Sequence, residues 1–184
     1  MNQPQLLEQF LRGQTAVDKA YPPWQWPSQP VHLRQRTFLC PTLPPDELIN
    51  SVRAIMFRGE EVMVIRDPQN EPYIIPGGRR EPGETVLETL QREMREETGW
   101  SVRETAFIGC IHFQHLTPKP VDYPYPYPHF FWAIFAAQAD SFDPAAIEED
   151  VYVISANFKP IHEVVCWNLS DGQNELLQTA VTIL

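Results

Sequence analysis

Residues 85–98 contain neither proline nor glycine, are dominated by Glu, Leu, Arg, Gln and Met, and end against Gly99. Such a run predicts one helix, because those side chains lose little freedom in a helical backbone and glycine supplies the left-handed stop. At about 100° per residue, Leu87, Leu90 and Met94 fall on one apolar stripe. Glu93, Glu96 and Glu97, related by i, i+3 and i+4 spacing, gather on the face beside that stripe, while Glu88, Gln91 and Arg95 point elsewhere. Like charges at this spacing repel by a few tenths of a kcal/mol per pair even when exposed, on the order measured for isolated helices. A cation should offset that. Hard carboxylate oxygens converging from one helix face suit Mg²⁺, which keeps waters and also binds substrate phosphates. The pair Gly77 and Gly78 allows a backbone turn to approach closely, and Glu84 stands where its charge favours the helix N-terminus. Taken alone, the charge run could equally be a solvated face with ion pairs such as Glu88 with Arg92.

The flanking sequence predicts strands. Residues 52–57 and 62–65 are rich in β-branched and apolar side chains and are separated by Arg58, Gly59 and Glu60, which predicts a hairpin. A turn at Asp67 to Asn70 leads to another short strand over residues 73–75. Further strands are expected over 106–113, 129–136 and 164–167, with a closing helix over 174–183. Leu6, Leu7, Phe10 and Leu11 recur at helical spacing ahead of YPPWQWPSQP, whose prolines favour an extended path. This gives an N-terminal helix and Pro/Trp-rich arm over residues 1–50 and a domain over 51–184. The arm covers the domain's own core, contacts a second copy in a homodimer, or caps a substrate. Residues 117–128, TPKPVDYPYPYP, form a stiff loop whose tyrosines either stack on a base or sugar or clasp Trp24 and Trp26.

At 184 residues the chain is long enough for one domain and short for two. Its net charge of -10 repels phosphate backbones and anionic membranes, so binding to a nucleic-acid duplex is not expected. Divalent cations held by carboxylates would invert that field locally. Cys40, Cys110 and Cys166 form no CxxC pair and are odd in number, which suggests neither a zinc knuckle nor a disulfide framework, and fits a reducing cytoplasm. Residues 130–137 are too short an apolar run to span a bilayer, and no targeting segment is expected. His112 and His115, three apart on a strand, point to opposite faces and make poor joint ligands; His32, His129 and His162 stand alone.

GGRREPGETVLETLQREMREETGW resembles the Nudix box, whose pattern is G-x5-E-x7-R-E-U-x-E-E-x-G-U with U a bulky apolar residue. Gly78, Glu84, Arg92, Glu93, Glu96, Glu97 and Gly99 fill its fixed positions. Met94 fills the first apolar slot, and Trp100 fills the second, where an aliphatic residue is more usual. At average residue usage such a match arises by chance at about one start in 10⁸.

The resemblance implies an α/β Nudix fold, a mixed β-sheet sandwiched between α-helices. It further implies hydrolysis of a phosphoanhydride bond in a nucleoside diphosphate linked to another moiety, such as a nucleotide sugar, ADP-ribose or a nucleoside triphosphate. By the same resemblance Glu93, Glu96 and Glu97 bind Mg²⁺ or Mn²⁺ with help from the Gly78 carbonyl, and Arg92 orients Glu93 or Glu84. The base that activates water comes from the box or from a later carboxylate, with Glu163, Glu148, Glu149 and Asp150 as options. Marks that separate substrate groups in the family are absent: His115 stands where one ADP-ribose group has proline, and Thr117 and Pro118 where dinucleoside-polyphosphate hydrolases have tyrosine. YPYPYP does not match the SQPWPFP-like run of NADH hydrolases, and no coenzyme A signature precedes the box. Two rival roles on this fold are a non-hydrolytic nucleotide-sensing module and a diphosphate isomerase, the latter requiring a cysteine such as Cys110 or Cys166 opposite a glutamate.

Overall fold

The computed structural model describes residues 3–148 and 153–184. In chain order these begin with α1 (Gln3–Leu11), β1 (Asp18–Ala20), β2 (Pro23–Gln25), β3 (Pro30–Leu39), β4 (Ile49–Arg58) and β5 (Glu61–Arg66). The short strands β6 (Pro72–Tyr73) and β7 (Gly77–Arg79) lead into α2 (Val86–Thr98), followed by β8 (Trp100–His115) and β9 (His129–Phe142). The chain closes with β10 (Ser155–Pro160), α3 (Ile161–Val164) and α4 (Asp171–Ile183). Among the described residues the sheet order is β1-β3-β8-β9-β4-β5-β10, with β2 on β3, β6 on β5 and β7 on β4. Only β4 with β9 pairs in parallel; the other described pairs are antiparallel.

Side chains alternate along a strand, so β4 and β9 feed two cores. Ala54 and Met56, with Ala133, Phe135 and Ala137, face Val86, Leu90 and Met94 of α2. Ile55 and Phe57, with Ile134 and Ala136, pack with Leu176, Leu177 and Ala180 of α4. Burial on both faces explains why the central stretches of β4 and β9, residues 54–57 and 130–137, are continuously apolar. The sheet thus lies between α2 and α4, the α/β arrangement expected from the sequence. Helix α1 covers a third cluster through Leu7, beside Phe38, Leu48 and Phe131, with Phe10 edge-on to Phe131 at 5.3 Å.

Helix α2 has the predicted bounds. The Thr85 side chain accepts from the Glu88 N–H and Glu88 reciprocates at the Thr85 N–H, so two donors at the helix start are satisfied. At the other end Gly99 takes φ 76°, and a Cβ there would stand 2.6 Å from the Phe142 ring. Gly99→Ala is therefore expected to lower stability by about 2 kcal/mol, combining left-handed strain with a clash. Urea unfolding checks this, and a midpoint matching the parent would refute it.

Three sequence expectations need correction. Leu87 is 52% exposed, and Val86 takes its place in the first turn, packing with Leu90 and Met94 among Ala54, Met56 and Phe135 of β4 and β9. Residues 164–167 are not a strand: α3 and a turn occupy 161–167, and the strand is β10, whose partly polar SANFKP pairs with the edge of β5. Strand β3 was hidden behind the Pro/Trp-rich arm, yet it pairs with β8 over residues 33–39.

Candidate active site

Strand β7 brings the glycine pair against the acidic face of α2. The Gly77 N–H donates to Glu97 Oε2 at 2.6 Å, and the Gly78 carbonyl accepts from the Ser51 hydroxyl at 2.7 Å. A Cβ at position 78 would collide with the Glu93 carboxylate, so any other residue there would displace that carboxylate.

Arg92 gathers the acids. Its Nε donates to Glu84 Oε1 at 2.6 Å, and its Nη1 donates to both Glu93 Oε1 and Glu96 Oε2 at 2.9 Å. Its Nη2 reaches Glu84 Oε2 and the Arg79 carbonyl, each at 2.9 Å. The Arg92 guanidinium, helped by the Glu81 N–H and the Thr89 hydroxyl, holds the Glu84 carboxyl down at about 2. Arg92 is itself held protonated more firmly than an ordinary arginine, chiefly by Glu84. Burial pushes the Glu93 carboxyl up, against the pull of Arg92.

Glu93, Glu96, Glu97 and the two glycines form one wall of a cavity of about 460 Å³. Trp24, Trp26, Tyr123, Tyr125 and Trp132 line it as well, with Asn50, Ser51 and Arg53 of β4 and Arg79 of β7. Arg53 lies 4.1 Å from the Trp132 ring centroid and donates to the Ile75 carbonyl at 3.2 Å. Burial lowers its pKa, with Glu97 and Glu93 opposing.

The donor set fits a hard divalent cation. Two carboxylates already converge on one cationic atom, Arg92 Nη1, and the third borders the same cavity. Among the described residues no three His, Cys, Asp or Glu side chains close on a common point. Glu97 instead leans on Gly77, and Glu93 and Glu96 on Arg92.

The NUDIX domain family model matches residues 47–180. The chain belongs to this family. Curated relatives of this Nudix protein include the human 8-oxo-dGDP phosphatase NUDT18, 46% identical over 43 residues, or 22% of this chain and 13% of that protein. Another is the NAD-capped RNA hydrolase NudC of Pseudomonas entomophila, 34% identical over 91 residues, or 47% of this chain and 30% of that protein. The matches thus span well under half the length of these relatives. Among solved structures, the Bacillus subtilis pyrophosphohydrolase BsRppH superposes with a TM-score of 0.54 at 16% identity, over 88% of this chain and 94% of that one. A MutT NUDIX hydrolase from Burkholderia pseudomallei gives 0.51 at 16% identity, over 70% and 95%. These two share the fold.

Within this Nudix protein the structure brings together Gly78, Glu93, Glu96 and Glu97 with Arg92 behind them, and it leaves Glu163 apart. Glu163 is exposed on α3, and the cavity's lining does not include it. The Glu148 N–H donates to the Glu96 carbonyl at 3.0 Å, which sets residue 148 beside α2, while Glu149 and Asp150 lie outside the described residues. The isomerase's cysteine has no place here: Cys110 is buried 4.0 Å from Cys40, Cys166 is exposed, and neither borders the cavity.

His129 does not stand alone, since its Nδ1 lies 3.1 Å from Nε2 of buried His112, the two brought together across the β8–β9 pairing. Burial first, then Arg36 and His129, holds the His112 imidazole down at about 3, so it is neutral. A second cavity of about 480 Å³ runs between α1 and the start of β9 and is mostly apolar, with Leu7, Leu11, Leu48 and Pro128 in its walls. Residues missed from the sequence are Asn50, Ser51, Arg53, Arg79 and Trp132. Arg53 carried a signal, as a lone charge inside an apolar strand. No helix among the described residues is long and apolar enough to cross a membrane.

Proposed function

We propose that this Nudix protein hydrolyses a phosphoanhydride bond in a nucleoside diphosphate linked to another moiety, using Mg²⁺ or Mn²⁺ held by Glu93, Glu96 and Glu97. The observation that carries the reading is one cavity wall on which those three carboxylates and Gly78 stand together, backed by Arg92. The divalent ion supplies neutralisation of the diphosphate and polarisation of the attacking water. Arg92 holds Glu93 and Glu96 in place by charge-assisted hydrogen bonds, so the ligand oxygens are oriented before substrate arrives. Arg53 and Arg79 offer positive charge to the phosphates in a site otherwise dominated by acids. The proton of the attacking water passes to a carboxylate on this wall, and Glu163, on the exposed face of α3, takes no part. The names of the human and Pseudomonas relatives both speak of nucleotide-derived substrates, which supports the substrate class.

A second reading, a non-hydrolytic sensing module, draws on the carboxylates' engagement with Arg92 and Gly77. A phosphate-release screen separates the two. Purified protein with Mg²⁺ or Mn²⁺ is offered nucleoside triphosphates, ADP-ribose, NADH, nucleotide sugars, dinucleoside polyphosphates and coenzyme A, with phosphatase added to reveal monoester products. Metal-dependent cleavage within one class is the expected result. Silence across the panel from folded, metal-binding protein would favour the sensing module.

A further inference from the structure

We propose that Trp26 of the N-terminal arm and Tyr125 of the Tyr-Pro loop form a nucleobase subsite, with Asn50 meeting the polar edge of the base. This rests on the reading of the site as one for nucleoside diphosphate derivatives. Trp24 and Trp26 precede residue 47, where the family match begins, so this part of the cavity belongs to the chain's own arm.

The arm is fastened to the loop. Trp26 Nε1 and the Ser28 hydroxyl both donate to Asp122 Oδ1 at 2.8 Å, and Gln29 Nε2 donates to the Pro118 carbonyl at 3.0 Å. Trp26 and Gln29 also exchange backbone hydrogen bonds, each of 3.2 Å, closing a tight turn. Within this clasp the rings divide into two kinds. Tyr123 is buried, and Trp24 stacks on Trp132 at 6.0 Å and packs on Phe113 at 5.3 Å, so these two are spent on structure. Trp26 and Tyr125 pack edge-on to Tyr123 at 4.9 Å and 5.4 Å and meet each other edge to face at 6.0 Å, and both keep partly exposed area at the cavity, as Trp24 does. The exposed area of Trp26 and Tyr125 at the cavity is available for a flat ligand to stack on.

Two further groups fix what the ligand is. The Arg79 guanidinium lies 4.7 Å from the Tyr125 ring and 6.0 Å from that of Trp26, so positive charge for a phosphate adjoins the rings on the strand that carries Gly78. Asn50 lines the same cavity, is only 8% exposed, and its Oδ1 has no hydrogen-bond partner. A buried acceptor left unpaired is costly until something donates to it, and base amino or imino groups are such donors. Aromatic faces and the acceptor match a base, and the cation beside them matches a phosphate. A cavity of about 460 Å³ accommodates that length.

Calorimetric titration of the full chain with Mg²⁺ tests this, using AMP, GMP, CMP and UMP beside ribose 5-phosphate, which lacks the base. At least one monophosphate is expected to bind about tenfold more tightly than ribose 5-phosphate. Trp26→Ala and Tyr125→Ala should each remove most of that preference and leave ribose 5-phosphate within about twofold. Trp26→Phe, which keeps a stacking face but loses the bond to Asp122, should retain most of it. The subsite is overturned by equal affinity for all five probes, by Trp26→Ala weakening ribose 5-phosphate as much as the monophosphate, or by Trp26→Phe behaving like Trp26→Ala. Base preference with no hydrolysis in the substrate screen would reject the hydrolase reading and leave the subsite standing. Hydrolysis without base preference would do the reverse.

Discussion

Glu97→Gln is expected to retain the fold while lowering metal-dependent turnover by more than about tenfold. Glutamine has the same shape and can still accept the Gly77 N–H that now reaches Glu97 at 2.6 Å, so the contact between β7 and α2 survives. What disappears is one negative charge on the cavity wall. Steady-state rates at several Mg²⁺ concentrations, with a thermal melt as the control, decide the matter. Undiminished turnover would remove Glu97 from the metal site, and a collapsed melt would show that its role is structural.

The second large effect is expected from Arg92→Ala. Removing the guanidinium leaves Glu84, Glu93 and Glu96, each mostly buried, without their shared partner, and about 3 kcal/mol of stability should be lost near neutral pH. The loss should depend on pH in a definite direction. Glu84 is held at about 2 against an ordinary 4.5, so its contribution is fully present above about 4.5 and disappears as pH falls toward about 2. Glu93 acts oppositely, because burial raises its pKa and protonation relieves the cost of keeping it charged. Without Arg92 both carboxyls protonate more readily, so the variant should gain on the parent as pH falls. Urea midpoints measured from pH 7 down to about 3 would show the gap narrowing, and two parallel curves would contradict the assigned role.

Much of this was legible because it is local. Thr85, Glu88 and Gly99 mark the ends of α2 through hydrogen bonds and dihedral angles that reach only a few residues, and Arg58, Gly59 and Glu60 mark the β4–β5 turn in the same way. The box residues were legible as a spacing, and their meeting with Gly78 follows from one close approach of β7 to α2. What escaped depends on pairing across long stretches of chain. Strand β3 alternates Val31 and Leu33 inward, but its partner β8 lies far along the sequence, and the prolines before it dominated the local pattern. Strand β10 is partly polar because it lies at the sheet edge, whereas the apolar VVCW that suggested a strand ends α3 at buried Val164 and then turns, leaving Val165 and Cys166 exposed. His129 looks solitary until the β8–β9 register brings it to His112. The wall carrying Trp26 and Tyr125 joins segments almost a hundred residues apart through Asp122, a distance at which no periodicity speaks.

The two ends of α2 are locked by caps, its last turn is pinned to β7 through Glu97, and its middle to the loop before it through Arg92 and Glu84. The opposite wall is built differently: the arm pairs with β3 through the short strand β2, and the loop is fastened to the arm by side-chain hydrogen bonds and ring contacts. One half of the cavity therefore has almost no room to vary without losing its shape, and the other can change its side chains beyond β2 while the rest of the sheet stays as it is. Exchange of residues 26–29 and 117–128 as a matched pair would change the lock's wards and leave its bolt untouched.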